Sequence, residues 1–168
     1  STLMKILQGV YSADAGEIAV GGHPVTINSP IAARDAGVGM VFQEFSLVPT
    51  LSVAQNVFLN REPRNALGLI DEEAMERETE KIFETFRLPI NPKASVDRLS
   101  TAYWQLTEIA KAISQNARVL ILDEPTASLS KKESEILFGL IKRLTSQGIG
   151  IVYISHRMEE IYRVTDRI

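Results

Sequence analysis

The sequence predicts an α/β fold in which a parallel sheet forms the core and an all-helical segment is inserted. The first observation is the apolar run V-L-I-L at 119–122, because such runs are typical of strands buried on both faces of a parallel sheet. A second apolar run at 149–154 follows the helical pattern of 130–147, which is the order of a βαβ unit. The third observation is that only helical patterns occur between about residues 50 and 115, so strands precede and follow a helical insert.

The other predicted elements rest on apolar periodicity and on capping residues. A hairpin is predicted over 17–27 because Gly21 and Gly22 can form its turn, and a short buried strand is predicted at 38–42. Ser100 is expected to cap the helix that follows it, and either Thr50 or Ser52 is expected to cap the helix near residue 50. Helices are predicted at 1–10, 29–35, 50–59, 71–87, 100–115, 130–147 and 156–164.

The length of the chain bounds its organisation. Its 168 residues suit one domain or a large part of one, and a hydrophobic content of 45% allows a normal core. We expect an α/β core formed by 1–49 and 117–168, with a helical subdomain over about 50–116. Because a helical pattern begins at the second residue, we also expect the chain to be a piece of a longer protein.

Composition argues against several classes of protein. The net charge of -3 argues against a general nucleic-acid binder, which usually has a basic face. The absence of cysteine excludes disulfides and thiolate metal sites, and it fits a reducing compartment. No apolar stretch approaches the roughly 20 residues that a membrane-spanning helix requires.

Polar residues follow the predicted strands or begin a predicted helix, where α/β sheets carry their functional groups. Each has a plain structural explanation: a glutamine there can satisfy backbone groups, and a histidine there can be a solvated cap. Four such coincidences together favour a site. The segments are Ser1-Thr2, Gln43, Asp123-Glu124 and His156.

The two adjacent acids Asp123 and Glu124 suit a shared task at the end of a buried strand. One carboxylate can hold a metal ion while the other polarises a water molecule beside it. The alternative is a buried strand that simply leaves the core through a polar turn.

In their order along the whole chain, these segments resemble the motifs of the ATP-binding cassette (ABC) ATPases. The resemblance implies a P-loop NTPase fold, with a RecA-like parallel sheet and an inserted helical signature subdomain. The resembling stretches are S-T-L-M-K-I-L at 1–7 (end of the phosphate loop G-x-x-G-x-G-K-S-T-L), V-F-Q-E at 41–44 (Q-loop), L-S-T-A-Y-W-Q at 99–105 (signature L-S-G-G-Q-x-Q), V-L-I-L-D-E at 119–124 (Walker B and catalytic glutamate), A-S-L-S at 127–130 (D-loop) and S-H-R at 155–157 (switch histidine).

The resemblance implies that ATP and Mg²⁺ are the ligands. Ser1 would bind Mg²⁺ through its hydroxyl, and the helix that begins at Ser1-Thr2 would direct backbone N–H groups at the phosphates. Gln43 would complete the Mg²⁺ shell and sense the γ-phosphate. Asp123 would hold the metal, mostly through water.

The resemblance also implies how hydrolysis is catalysed. Glu124 would act as general base on the attacking water, and His156 would contact the γ-phosphate and position that water. Ser100, with Ala102 in the same signature, would contact the nucleotide of a second cassette. Two cassettes, in a dimer or as tandem domains of one chain, would therefore pair head to tail around two nucleotides.

Three stretches resemble monosaccharide-import ATPases in particular: 44–59, E-I-A-K-A at 108–112 and I-S-H-R-M-E-E-I at 154–161. They imply a subunit that couples ATP hydrolysis to import of a simple sugar, at the cytoplasmic face of a bacterial inner membrane. Its partners would be transmembrane permease subunits, which dock near residues 43–59, and indirectly a sugar-binding protein, but no nucleic acid. Pentose, hexose and nucleoside substrates stay open. The alternatives are a degenerate or regulatory cassette and a soluble ABC ATPase not linked to transport.

The 168 residues as printed lack the glycine-rich loop and lysine of the phosphate-loop pattern. Loss of one preorganised donor costs about 3–4 kcal/mol of transition-state stabilisation, and loss of most of a phosphate cradle should cost more. We therefore predict that these residues alone neither bind ATP tightly nor hydrolyse it. Micromolar affinity in a nucleotide titration of the 168-residue chain would contradict this.

The signature also departs from the family pattern, because Ala102 stands where its second glycine is expected. A glycine there allows close approach of the backbone to phosphate, and a β-carbon adds bulk. Ala102 is either a tolerated variant or the cause of a weakened composite site; in the second case Ala102→Gly should raise ATP hydrolysis.

Overall fold

The computed structural model describes residues 2–168 and has a parallel three-stranded sheet at its centre. Its strands are β1 (Ile18–Val20), β2 (His23–Val25), β3 (Val38–Val41), β4 (Val119–Asp123) and β5 (Gly150–Ile154). Its α-helices are α1 (Thr2–Leu7), α2 (Pro30–Asp35), α3 (Val53–Val57), α4 (Glu72–Phe86), α5 (Thr101–Ile113), α6 (Lys131–Ser146) and α7 (Met158–Val164), and a 3-10 turn spans Val96–Arg98.

Side-chain caps set the starts of several helices. Ser29 accepts a hydrogen bond from Ala32 N–H, and Asp71 accepts one from Ala74 N–H. Ser52 and Ser130 each form a reciprocal capping box with the residue three positions on, which satisfies two otherwise unpaired N–H groups. The cap at Ser52 explains why α3 begins three residues later than predicted.

Several helices are shorter than predicted, α1 and α7 among them. The predicted helix 1–10 ends at Leu7, because Gly9 adopts a left-handed conformation with φ 71° that terminates the helix. The last helix begins at Met158, so the prediction that His156 begins it is wrong. Between Thr2 and Ile168 the structure contains no helix that is both long and apolar enough to span a membrane.

Strands β3, β4 and β5 lie side by side in that order and run parallel, which confirms the predicted parallel α/β core. Val41 pairs with Leu122, and Asp123 pairs with Ile154. Strands β1 and β2 form the predicted antiparallel hairpin. Gly21 and Gly22 both have positive φ there, as a tight two-residue turn requires.

The central strand β4 is buried on both faces, as its apolar run predicts. Leu120 and Leu122 pack in one apolar cluster with helices α3 to α6, whereas Ile121 packs in a second cluster on the opposite face. The first cluster joins Val41 of the sheet with Phe83 of α4, so residues from both predicted parts share one core. The division into a core of 1–49 and 117–168 and a helical subdomain of about 50–116 stays a prediction.

Candidate active site

The carboxyl ends of the parallel strands carry four of the residues selected from the sequence. Gln43 is exposed and lies two residues beyond the end of β3, while Asp123 is the partly buried last residue of β4. Glu124 follows Asp123 directly, and His156 lies two residues beyond the end of β5. Because parallel strands end at the same edge of a sheet, these residues share the edge where α/β proteins bind ligands.

The backbone of Glu124 has an uncommon conformation. Its φ is 46°, which places it in the left-handed region that residues with a β-carbon rarely adopt. Its N–H donates to the carbonyl oxygen of Ile154 at 2.9 Å, so β5 holds the turn in place. Unfavourable backbone conformations of this kind cost of order 1–3 kcal/mol and cluster at functional sites. The turn therefore fixes the direction in which the Glu124 side chain leaves the sheet.

Glu124 and His156 form a hydrogen-bonded pair, with 2.9 Å between Glu124 Oε1 and His156 Nδ1. An ionised carboxylate only accepts, so the proton of this bond lies on Nδ1. The carboxylate is partly sheltered, with 29% of its side chain exposed, whereas the imidazole is 68% exposed. This geometry leaves Nε2 free to contact a ligand and holds the carboxylate where it can accept a proton from water.

The segment that follows Gln43 is fastened to helix α5. The Phe45 and Trp104 rings meet edge to face, with centroids 5.4 Å apart. Ser46 Oγ donates to Glu108 Oε2 at 3.1 Å and accepts from Lys111 Nζ at 3.1 Å. Trp104 therefore has a structural role that its sequence position does not reveal.

Ser100 and Ala102 lie at the start of α5, and the structure does not join them to the sheet edge. Ser100 is exposed and is the N-cap residue of α5, as predicted, but its side chain forms no capping hydrogen bond. Its hydroxyl instead lies 3.4 Å from Glu133 Oε1. In the described residues, neither Ser100 nor Ala102 forms a hydrogen bond with Gln43, Asp123, Glu124 or His156.

Ala102 is only 5% exposed, so its methyl group packs into the domain rather than toward solvent. The burial of the methyl group favours the interpretation that Ala102 is a tolerated variant over the interpretation that it weakens the composite site. We predict that Ala102→Gly in the full-length protein lowers the free energy of unfolding by about 0.5–1 kcal/mol, the usual cost of glycine in a helix. We also expect ATP hydrolysis not to rise. A steady-state phosphate-release assay beside thermal unfolding checks both, and higher turnover by the variant would restore the weakened-site interpretation.

The residues expected to cradle phosphate are only partly described. Thr2 is exposed at the start of α1, whereas Ser1 lies outside the described residues. Among residues 2–168, no group of three or more histidines, cysteines or acids is placed to hold a metal ion. Gln43 and Asp123 still supply hard oxygen donors at the sheet edge, which suit a cation that takes only one or two protein ligands.

Sequence reasoning missed Glu160 and Thr126. Glu160 lies in the first turn of α7, and its carboxylate accepts a hydrogen bond from Thr126 Oγ1 at 2.6 Å. Thr126 lies two residues after Glu124 and is 1% exposed. The sequence signals for Glu160 were its place in the stretch 154–161 and in the first turn of a predicted helix, where acids are common, and neither indicates its partners.

The chain matches a known family over most of its length and a curated relative over its full length. Residues 1–127 match the profile of the family described as ABC transporter. The ribose import ATP-binding protein of Hahella chejuensis is 53% identical over 168 residues, which are 100% of this chain and 34% of that protein. The chain thus spans about a third of the length of the curated relatives it matches.

Solved structures share the fold. A nucleotide-free ATP-binding cassette from an ABC transporter superposes with a TM-score of 0.81 at 22% identity, over 98% of this chain and 69% of that chain. A dimeric, post-hydrolysis ATP-binding cassette bound to ADP and Pi gives a TM-score of 0.71 at 23% identity, over 94% of this chain and 70% of that chain. These likenesses confirm the predicted fold class, a P-loop NTPase.

Proposed function

The chain belongs to the ABC transporter family, and on that premise we propose that it is the ATP-hydrolysing part of a subunit that drives import of a simple sugar. The observation that carries the proposal is the Glu124–His156 pair at the carboxyl edge of the parallel sheet. The resemblance to a ribose import ATP-binding protein over the whole chain supports sugar as the transported class.

In the proposed mechanism Glu124 is the general base. Its carboxylate takes a proton from the water that attacks the γ-phosphate of ATP. The hydrogen bond from His156 Nδ1 fixes one carboxylate oxygen and leaves the other to face that water. The Ile154 carbonyl fixes the Glu124 backbone, so the base is positioned before ATP arrives.

Mg²⁺ is the proposed cofactor, and the donors at the sheet edge fit it. Asp123, Gln43 and Ser1 would hold it through hard oxygen atoms, directly or through water. When bound it would neutralise charge that develops on the transferred phosphate. Mg²⁺ in such enzymes is held partly by substrate phosphates, so one or two protein ligands are sufficient.

A second cassette is the proposed partner in hydrolysis. Ser100 is exposed at the start of α5 and is not joined to Glu124 or His156 by hydrogen bonds of its own chain. Its hydroxyl and the unpaired N–H groups of the first helical turn, including that of Ala102, would act on the nucleotide of the other cassette. A solved cassette of the same fold is dimeric.

We place this assembly at the cytoplasmic face of a bacterial inner membrane, on transmembrane permease subunits that receive sugar from a binding protein. Residues 43–59 are the proposed docking region. Within them Leu47 is buried and belongs to the core, whereas Val48 is 36% exposed. Phe45 contacts Trp104, so movement of a docked subunit would reach α5.

The test is sugar uptake by proteoliposomes that contain the full-length protein with its permease subunits. We expect uptake from a panel of labelled pentoses, hexoses and nucleosides to require ATP on the cassette side, and to be lost with Glu124→Gln. ATP hydrolysis without uptake of any panel member, and without co-purification of permease subunits, would instead favour a soluble ATPase. Uptake without hydrolysis would favour a regulatory cassette.

A further inference from the structure

The carboxylate of Glu160 accepts hydrogen bonds from four residues in two separate segments of the chain. Its Oε2 accepts from Thr126 Oγ1 at 2.6 Å, from Tyr153 OH at 2.9 Å and from Ser155 Oγ at 3.3 Å. Its Oε1 accepts from Arg157 Nη1 at 3.1 Å. Only 12% of the side chain is exposed, so these protein donors replace most of its water.

Hydrogen bonds from its neighbours keep the Glu160 carboxylate ionised, so it acts as a hydrogen-bond acceptor. Burial on its own raises the pKa of the Glu160 carboxyl, but hydrogen bonds from Thr126, Tyr153 and Arg157 outweigh it and hold that pKa below its usual value. Burial, followed by the neighbouring Glu160 carboxylate, raises the pKa of the Tyr153 phenol, which therefore stays a donor. An ionised carboxylate with four donors is a fixed anchor, because each donor loses its partner if the carboxylate moves.

The anchored segments are those that carry the proposed catalytic pair. Thr126 lies in the turn that begins with Glu124, and Ser155 is adjacent to His156. Ser155 Oγ also accepts from the Arg157 N–H at 3.0 Å, which closes the loop around His156. Glu160 is thus hydrogen-bonded both to the turn that carries Glu124 and to the loop that carries His156.

We infer that Glu160 is a positioning residue for hydrolysis: it fixes the turn after β4 relative to the loop after β5 and so aligns Glu124 with His156. Glu160 contacts no reacting atom itself. This inference rests on the proposed function. The competing explanation is a purely structural role, in which Glu160 only stabilises the first turn of α7.

The test compares Glu160→Gln with Glu159→Gln in the full-length protein. Glu159 is the next residue on the same helix; it is exposed and makes no hydrogen bond or ion pair in the described chain. We expect Glu160→Gln to lower kcat roughly 10–100-fold, the scale of a small misalignment, while KM for ATP changes less than about threefold. The control should stay within about twofold of the unmodified protein, since it leaves the alignment intact.

Repeating the substitution in a His156→Ala protein separates a positioning role of Glu160 from a purely structural role. If Glu160 acts through His156, adding Glu160→Gln to His156→Ala should lower single-turnover hydrolysis by less than about threefold, because residues that act as a unit are non-additive. An equal loss in both backgrounds, or a change in KM alone, would overturn the inference.

If Glu160→Gln fails to fold, Tyr153→Phe removes one donor and should lower kcat about 3–10-fold by the same misalignment; unchanged kcat would then overturn the inference. Absence of hydrolysis by the unmodified protein would instead overturn the proposed function.

Discussion

Replacement of Glu124 by glutamine in the full-length protein is expected to lower kcat for ATP hydrolysis by about 10²–10⁴-fold, the usual contribution of a general base. Glutamine keeps the size of the side chain, and its amide oxygen can still accept from His156 Nδ1. It cannot take a proton from water. Affinity for ATP should stay within about threefold, because the change removes an interaction made in the transition state rather than in binding.

Single-turnover phosphate release and calorimetric titration with ATP measure these two quantities. Glu159→Gln is the matched control, since it makes the same chemical change on an exposed side chain near the site. If Glu124→Gln kept more than about a tenth of the normal rate, Glu124 would not be the base.

The second large effect is expected at Asn56, which is fully buried. Its Oδ1 accepts from Val48 N–H at 2.7 Å, and its Nδ2 donates to the carbonyl oxygens of Val48 and Ser52, both at 3.0 Å. Asn56→Ala leaves the Val48 N–H without its partner, whereas the Val48 carbonyl oxygen keeps a hydrogen bond from Leu51 N–H. We therefore predict a loss of roughly 1–3 kcal/mol in the free energy of unfolding.

Differential scanning calorimetry of the full-length protein checks this prediction. The temperature of the transition that includes this domain should fall by roughly 2–12 °C for a domain of this size. Gln147→Ala removes an exposed amide and should change stability by less than about 0.5 kcal/mol. Equal transitions for Asn56→Ala and the unmodified protein would show that water replaces the lost amide.

The parallel sheet was predictable because its signals are local. The run 119–122 is apolar without interruption, and β4 is buried on both faces as such a run requires. Gln43, Asp123 and His156 could be selected because each lies at the end of a strand or just beyond it. Helix ends were less predictable. Helix α1 ends early because Gly9 adopts a left-handed backbone conformation, which the apolar pattern up to Val10 does not indicate.

The parts of the site that depend on distant contacts could not be predicted. The left-handed turn at Glu124 requires a hydrogen bond to Ile154, 30 residues away. Glu160 meets Thr126 across a separation of 34 residues. Ala102 occupies a motif position that suggested contact with a nucleotide, but the side of α5 on which its methyl group is buried is set by packing. Sequence patterns report periodicity, not which distant partner fills each contact.

The most direct test of the proposed base is a cryo-electron microscopy structure of full-length Glu124→Gln protein with MgATP, because the variant should bind ATP without hydrolysing it. We predict the γ-phosphate at the carboxyl edge of β3, β4 and β5, with His156 and Gln43 within hydrogen-bond distance and a water held by residue 124. A γ-phosphate bound elsewhere, with this edge facing only solvent, would contradict the assignment of Glu124 as the base.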